Sequence, residues 1–130
     1  MVARSSPSRA AQTRRGALPV LRSRADFDRI ESKGRTRTDR LLIIRFVPND
    51  LDHDRFGIST GRRLGNAVQR NRVRRRVREI LRPLTVRDGD GWDVLVVARP
   101  ASVGATFEEL RTALERLLGA MRAGRVRGSS

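Results

Sequence analysis

The stretch GNAVQRNRVRRRVREIL, Gly65–Leu81, combines six arginines with aliphatic residues at helical spacing and contains a single acid. Successive residues of an α-helix are rotated by about 100°, so residues three, four and seven positions apart share a face. The aliphatic positions that fall within one arc are Val73, Val77, Ile80, Leu81 and Leu84. Asn66 is placed to cap this helix, and Gln69 three positions later completes a capping box. The sequence therefore predicts an amphipathic helix whose apolar stripe packs on a sheet.

The polar side of this helix is almost entirely cationic. Asn71, Arg75, Arg78 and Arg82 lie opposite the stripe, and Arg72, Arg74 and Arg76 lie on its flanks. Like charges one turn apart cost roughly 0.2–0.5 kcal/mol per pair, and a bound polyanion reverses that sign. A helix face that only meets water normally mixes both signs of charge. Arg62 and Arg63 in the preceding turn extend the patch, so the residues favour nucleic-acid binding over an ordinary solvated face.

The charge of the whole chain points to the same class of partner. The chain has 130 residues, 29 basic against 14 acidic, and a formal net charge of +15. These values predict one small domain that binds a polyanion. Lys33 is the only lysine. Arginine pairs with phosphates and stacks on bases better than lysine does, which suits RNA, although a GC-rich genome explains the bias equally well.

Several other chemistries are disfavoured by composition. The chain has no cysteine, which excludes disulfides and thiolate metal sites. Its lone histidine, His53, argues against a catalytic triad or a zinc hydrolase. No apolar run approaches the length of a membrane helix. We therefore predict neither a catalytic residue nor a metal site in the protein itself.

Composition also divides the chain into three parts. Residues 1–20 are rich in arginine and serine and contain no acid, which predicts a disordered basic arm. The same composition is typical of a mitochondrial transit peptide, the alternative for this segment. Residues 21–120 contain the periodic segments and form the predicted domain. Residues 121–130 are predicted to be a flexible basic tail.

The predicted elements follow the order α-β-β-β-α-β-α, which indicates the α+β class. The first helix is capped by Ser23 and ended by Gly34. The predicted strands are 35–38, 41–47, 55–60 and 92–98. The third of these is expected to run antiparallel to the second, and the fourth, apolar nearly throughout, is expected to be central. The last helix begins at Thr106, where Glu109 completes a second capping box.

The segment RFGISTGRRLGNAVQRNRVRRRVREIL, followed by WDVLVVARP, resembles the protein subunit of bacterial ribonuclease P. Upstream, LPVLRSRADFDRIESKG resembles the usual opening of that family, so the resemblance spans Leu18 to Leu118. It implies a small two-layer α/β sandwich like the second domain of ribosomal protein S5. It also implies a left-handed strand–helix–strand crossover, against a right-handed preference of about 98%.

The resemblance implies a function that composition alone does not provide. The expected reaction is endonucleolytic removal of the 5′ leader from precursor tRNA in the bacterial cytoplasm. A catalytic RNA carries out the chemistry with Mg²⁺, which it binds mainly itself, and the protein is its accessory subunit. The arginine-rich helix is expected to bind the catalytic RNA, and a cleft between the first helix and the open sheet face is expected to bind the leader. The protein should broaden the substrate range and aid catalysis at physiological magnesium.

Individual residues match the family's motifs. Those on its RNA-contacting motif are Arg62, Arg63, Arg70, Asn71, Arg72, Arg74 and Arg75. Arg78 joins them through its place on the helix face. Phe27 falls on a leader-contacting aromatic position. Glu31 and Arg45 stand where relatives often have aromatic residues, and Arg45 is expected to contact the leader by stacking or through a phosphate. Gly61 replaces a serine common in the family.

Two other functions remain open from the residues. One is a non-catalytic ribosomal or RNA-chaperone protein, which would use the same basic helix without a catalytic partner. The other is a membrane-surface protein with a basic amphipathic helix. The stripe of this helix is aliphatic, lacks tryptophan and phenylalanine, and is needed for the sheet, so the membrane function is disfavoured.

Overall fold

A computed structural model describes residues 18–85 and 89–128, and the predicted order of elements is confirmed in it. The helices are α1 (Arg24–Lys33), α2 (Ala67–Leu84) and α3 (Phe107–Gly128). The strands are β1 (Arg35–Thr38), β2 (Leu42–Pro48), β3 (Arg55–Ser59) and β4 (Trp92–Ala98). Two short 3-10 turns, Arg62–Leu64 and Pro100–Gly104, precede α2 and α3. The predicted boundaries of α1, α2 and the four strands differ from these by one residue at most, whereas α3 extends beyond its predicted end.

The four strands form one mixed sheet in the order β1-β2-β4-β3. β1 and β4 are both antiparallel to β2, whereas β3 is parallel to β4. β4 is therefore central, as predicted. β3 runs antiparallel to β2, but the two strands are not neighbours because β4 lies between them. The connection from β3 through α2 to β4 joins adjacent parallel strands, and its left-handed sense stays a prediction.

The main core lies between one face of the sheet and the two long helices. Ile44 and Phe46 of β2 pair with Val96 and Val94 of β4, and all four side chains are buried. The stripe of α2 packs against them through Val73, Val77, Ile80 and Leu81, as its spacing predicts. In α3 the residues at helical spacing, Leu110, Leu114, Leu117, Leu118 and Met121, are buried, whereas Phe107 at its start is exposed. Sheet, α2 and α3 make the two layers.

Helix α1 lies on the opposite face of the sheet. Ser23 Oγ accepts from the backbone N–H of Asp26 at 3.0 Å, and the Gly34 N–H donates to the Ile30 carbonyl at 2.8 Å, so both predicted ends are confirmed. Ile30 is fully buried but lies outside the main core. Successive strand residues point to opposite faces, so α1 packs on the side chains that alternate with the core residues.

Both ends of the domain extend beyond the predicted boundaries. Pro19 and Leu21 exchange backbone hydrogen bonds with Phe56 of β3, so the last part of the predicted arm is attached to the sheet edge. Residues 1–17 lie outside the described residues. At the other end, α3 continues to Gly128, where a flexible tail from residue 121 was predicted. The helix continues because Met121 is buried in the core and Arg122 pairs with the buried carboxylate of Asp54 at 2.8 Å.

Candidate nucleic-acid interface

The start of α2 is built by local side-chain chemistry. The Asn66 side chain accepts from the Gln69 N–H at 2.9 Å, and the Gln69 side chain accepts from the Asn66 N–H at 3.0 Å. Gly65 precedes the cap with φ of 127°, and a Cβ there would lie 1.9 Å from Gln69 Oε1. Glycine is therefore required, because an L side chain would be strained and would displace the capping glutamine. The turn and cap orient the whole helix.

The side chains of five arginines near this turn and along α2 make no hydrogen bond or ion pair with any residue that the structure describes. They are Arg62, Arg63, Arg72, Arg75 and Arg78, and we call them the arginine face. All but Arg78 are exposed, and Arg78 is half-buried. Their guanidinium groups have every donor available, so several phosphates can be bound without breaking a contact within the protein.

Three other predicted residues are brought to the same side but already have contacts. Arg70 donates to the Gly65 carbonyl at 2.8 Å. Arg74 donates to Asn71 Oδ1 at 2.8 Å and also to the hydroxyl of Thr60. Arg74 therefore attaches the helix to the end of β3. It also orients the Asn71 amide, whose oxygen faces the Arg74 guanidinium. These residues can contribute to RNA binding, but each does so with part of its hydrogen-bonding capacity in use.

One arginine of α2 serves the fold instead. Arg76 donates to the carbonyl of Ala105 at 3.0 Å, which connects α2 to the turn before α3. The sequence placed it on the flank of the same cationic face, and no local pattern distinguishes it from Arg72. The difference lies in a partner that is 29 residues away.

The apolar side of α2 is not available to a membrane. Val77 and Leu81 are fully buried under the sheet, and Val73 and Ile80 are nearly so. No helix in the described part of the chain is long and apolar enough to cross a membrane. The membrane-surface alternative required an exposed apolar face on α2, and this face is buried against the sheet.

The open face of the sheet supplies a second surface, under and beside α1. Strand pairing places two rows of side chains across it: Thr36, Arg45, Leu95 and Gly57 in one row, and Thr38, Ile43, Val97 and Ser59 in the next. None of these eight residues is buried. We call this surface, with the facing side of α1, the cleft. It combines apolar floor residues with hydroxyl groups and one arginine.

Phe27 lies at the edge of the cleft, outside the main core. Its side chain is half-buried, and its Cε1 atom is 3.0 Å from the point that a Cβ on Gly57 would occupy. The ring thus rests on the one residue of β3 that has no side chain. The other large aromatic pair, Phe46 and Trp92, is in the core, with ring centroids 5.6 Å apart in an edge-to-face arrangement.

Arg45 reaches the cleft from β2 but is not entirely free. One of its terminal nitrogens donates to the carbonyl of Glu31 at 3.1 Å, at the C-terminal end of α1. This contact is favourable because a helix C-terminus carries partial negative charge. Its Nε is buried without a partner in the described part of the chain. Arg45 therefore attaches α1 to the sheet and also presents a guanidinium plane at the cleft, beside the exposed Glu31.

Sequence reasoning missed a buried carboxylate between α1 and the sheet. Asp93 is fully buried and accepts from both Nε and a terminal nitrogen of Arg55, each at 2.8 Å, and from Asn49 at 2.9 Å. The hydrogen bond to Asp93 raises the pKa of Arg55 above its ordinary value. Asp93 lies within the predicted strand 92–98, and only the pairing of β3 with β4 reveals its partner.

Outside these two surfaces, the described residues form no metal site, and one cavity among them is lined by several acids. Within the described residues, no group of three or more histidine or acidic side chains could hold a metal ion. A surface cavity of about 420 Å³ is lined by Asp39, Glu108, Glu109 and Arg116, among others. Its acids repel phosphates. The arginine face and the cleft are therefore the candidate sites.

Comparison with known proteins identifies relatives of the whole folded part. A family model described as Ribonuclease P matches residues 18–122. The ribonuclease P protein component of Roseiflexus castenholzii is 40% identical over 110 residues, which cover 84% of this chain and 88% of that protein. The corresponding protein of Chloroflexus aggregans is 44% identical over 99 residues, or 75% of this chain and 73% of that protein.

Solved structures show the same fold. The RNase P protein of Staphylococcus aureus superimposes with a TM-score of 0.70 at 30% identity, covering 81% of this chain and 96% of that one. The RNase P protein of Thermotoga maritima, solved with 1-(4-fluorophenyl)-2-thiourea, has a TM-score of 0.67 at 33% identity, covering 75% and 95%.

Proposed function

Because this chain belongs to the ribonuclease P protein family, we propose that its arginine face binds the catalytic RNA and that its cleft binds the 5′ leader of precursor tRNA. The chain is the accessory protein subunit of the endoribonuclease that forms the mature 5′ end of tRNA. Its partners are the catalytic RNA and precursor tRNA. Family membership decides against the ribosomal and RNA-chaperone alternatives. The cytoplasm, where bacterial precursor tRNA is made, is the proposed location.

The observation that carries the RNA-binding proposal is the availability of the arginine face. A surface that only needs solubility pairs its cations with acids or mixes both signs. Here the cations Arg62, Arg63, Arg72, Arg75 and Arg78 have no acid partner within the described residues. Their mutual repulsion destabilises the free protein slightly and favours a phosphate-rich partner. Arg70, Asn71 and Arg74 complete the surface.

The leader proposal rests on the chemistry of the cleft. A single-stranded leader offers bases that stack and a backbone that needs cations. Phe27 supplies a ring at the edge of the cleft, and Arg45 supplies a cation in the same row of the sheet as Gly57, two strands away. Adjacent strands are about 4.8 Å apart, so the backbone of Arg45 lies about 10 Å from that of Gly57, on which the Phe27 ring rests. That distance suits two successive contacts along one strand of RNA.

We propose that Mg²⁺ is bound mainly by the RNA subunit. The protein aids catalysis at physiological magnesium by neutralising phosphates and by holding the leader, which broadens the range of substrates. The support is the accessory role of the family together with the cationic, rather than metal-ligating, side chains of the arginine face. The magnesium requirement of cleavage should therefore rise when the arginine face is weakened, and titration of magnesium against cleavage rate measures that change.

The proposal is tested by reconstitution with catalytic RNA from a related bacterium. Phe27→Ala should weaken binding of leader-bearing precursor by about 1–3 kcal/mol, the usual range for one base–aromatic stack. Mature tRNA should bind as before, because it lacks the leader. Phe107→Ala is the matched control, since it removes an exposed phenylalanine from the start of α3.

The results distinguish a leader-binding role of Phe27 from a purely structural one. If Phe27 only supported the fold, its removal would cost about 3–5 kcal/mol of unfolding free energy and would weaken both tRNAs alike. Its half-buried position outside the main core leads us to expect a smaller loss in melting curves. Equal losses for the two tRNAs would remove Phe27 from the leader site. Absence of cleavage above that of the RNA alone would contradict the subunit role itself.

A further inference from the structure

A buried charge in β4 contributes to the placement of α1 on the sheet. Asp93 is fully buried near the start of β4, on the face that α1 covers. A buried carboxylate is costly unless it is paired and hydrogen-bonded. Its two oxygens are satisfied by a bidentate contact from Arg55 and by the Asn49 amide. Because a bidentate contact constrains both distance and plane, the Arg55 guanidinium has essentially one available orientation.

The same guanidinium extends from the sheet to α1. The nitrogen of Arg55 that bonds Asp93 also donates to Asp26 Oδ1 at 3.2 Å. The side chains of Asp26 and Arg55 are both about a quarter exposed, at 23% and 25%, so water screens this contact only in part. Asp26 lies in the first turn of α1, where its backbone N–H is held by Ser23. The contact therefore fixes the beginning of the helix relative to β3.

Phe27 immediately follows Asp26 and shares this constraint. Its ring rests on Gly57, which lies two residues after Arg55 on the same face of β3. The ring therefore lies between α1 and β3, and its position depends on how far α1 lies from the sheet. A second contact, from Arg29 to the carbonyl of Pro48 at 3.0 Å, holds the next turn of the helix on the same side. Movement of the first turn of α1 would move the ring directly.

We propose that Asp26, Arg55 and Asp93 form a charge clamp that positions α1, and with it Phe27, for recognition of the precursor leader. In this arrangement Asp93 orients the Arg55 guanidinium, which in turn holds the Asp26 carboxylate. The position of Asp26 then determines how far the Phe27 ring lies from Gly57. Asp26 and Arg55 are positioning residues, since neither needs to contact the leader itself. The inference rests on the leader-binding role proposed for Phe27.

Asp26→Asn is the decisive variant because it weakens the last contact of the clamp and leaves the buried pair of Arg55 and Asp93 intact. Asp28→Asn is the matched control. Asp28 is exposed on the same helix, and its side chain has no partner within the described residues. Each variant removes one negative charge. Simple electrostatics therefore predicts slightly tighter RNA binding in both variants, for precursor and mature tRNA alike.

If the clamp positions Phe27, Asp26→Asn should instead weaken binding of precursor tRNA, whereas Asp28→Asn should not. In the reconstituted enzyme, Asp26→Asn should lower the preference for precursor over mature tRNA by about three- to tenfold, as expected for loss of one coupled contact. Asp28→Asn should leave that preference unchanged. Melting curves of the free protein should show that both variants fold. An unchanged preference in Asp26→Asn would overturn the clamp while leaving the Phe27 test of the proposed function valid.

A double-mutant cycle identifies the residue through which the clamp acts. If Asp26 works by positioning Phe27, Asp26→Asn should have no further effect on leader preference in the Phe27→Ala background. An equal effect in both backgrounds would mean that Asp26 meets the leader independently, and the positioning role would be wrong. If Phe27→Ala alone leaves the preference intact, the leader site proposed for Phe27 is wrong and the clamp falls with it.

Discussion

The arginine face makes a quantitative prediction about salt. Each phosphate that a cation neutralises contributes a slope of about −0.9 for duplex or about −0.7 for single-stranded nucleic acid to the logarithm of affinity against the logarithm of salt. The structure leaves five arginines of this surface without a partner in the described residues. Their combined slope should therefore lie between about −3.5 and −4.5. Raising salt from about 50 to about 200 mM should then weaken binding about 130- to 500-fold.

Single substitutions on α2 separate the free cations from the structural one. Arg72→Ala or Arg75→Ala should each make the slope shallower by about 0.7–0.9, because each removes one phosphate contact. Arg76→Ala is the matched control on the same helix, since its guanidinium is engaged with the Ala105 carbonyl. Its loss should lower the melting temperature and leave the slope nearly unchanged.

The assay is equilibrium binding of each variant to the catalytic RNA at five or more salt concentrations, with melting curves of the free proteins beside it. A flat salt response in the wild-type protein would contradict docking through the arginine face. A slope change in Arg76→Ala as large as that in Arg72→Ala would show that contacts within the fold do not decide which arginines reach RNA.

Two further substitutions and one deletion test the fold and the cleft. Val77→Asp should unfold the domain in a melting experiment, because it places an unpaired carboxylate in the fully buried stripe of α2; normal stability would mean that the stripe is misplaced. Deletion of residues 121–130 should cost about 2–5 kcal/mol in denaturant unfolding, since it removes buried Met121 and the Arg122 partner of Asp54; an unchanged midpoint would restore the predicted tail. Glu31→Phe should strengthen precursor binding relative to mature tRNA, by adding a stacking ring and removing a repulsive charge beside Arg45. A preference for precursor that is unchanged from the wild-type protein would place Glu31 outside the leader path.

Local chemistry determined much of the fold in advance. The capping box of Asn66 and Gln69 and the stripe through Val77 are set by residues within one or two helical turns of each other, so the sequence predicted the start, phase and buried face of α2. The same holds for the boundaries of α1 and for the hydrophobic character of β4. Neighbouring residues also sufficed to predict a cationic helix face and an RNA partner.

Tertiary structure decided which of those residues are free to act. Arg72 and Arg76 are equivalent in the sequence, yet only Arg76 has a carbonyl partner, 29 residues away on another element. The contact of Arg55 with Asp93 spans 38 residues and exists only because β3 pairs with β4 rather than with β2. Phe27 meets Gly57 for the same reason. Helix phase depends on nearby residues, whereas these side-chain partners depend on how the elements pack, and no local pattern encodes that packing.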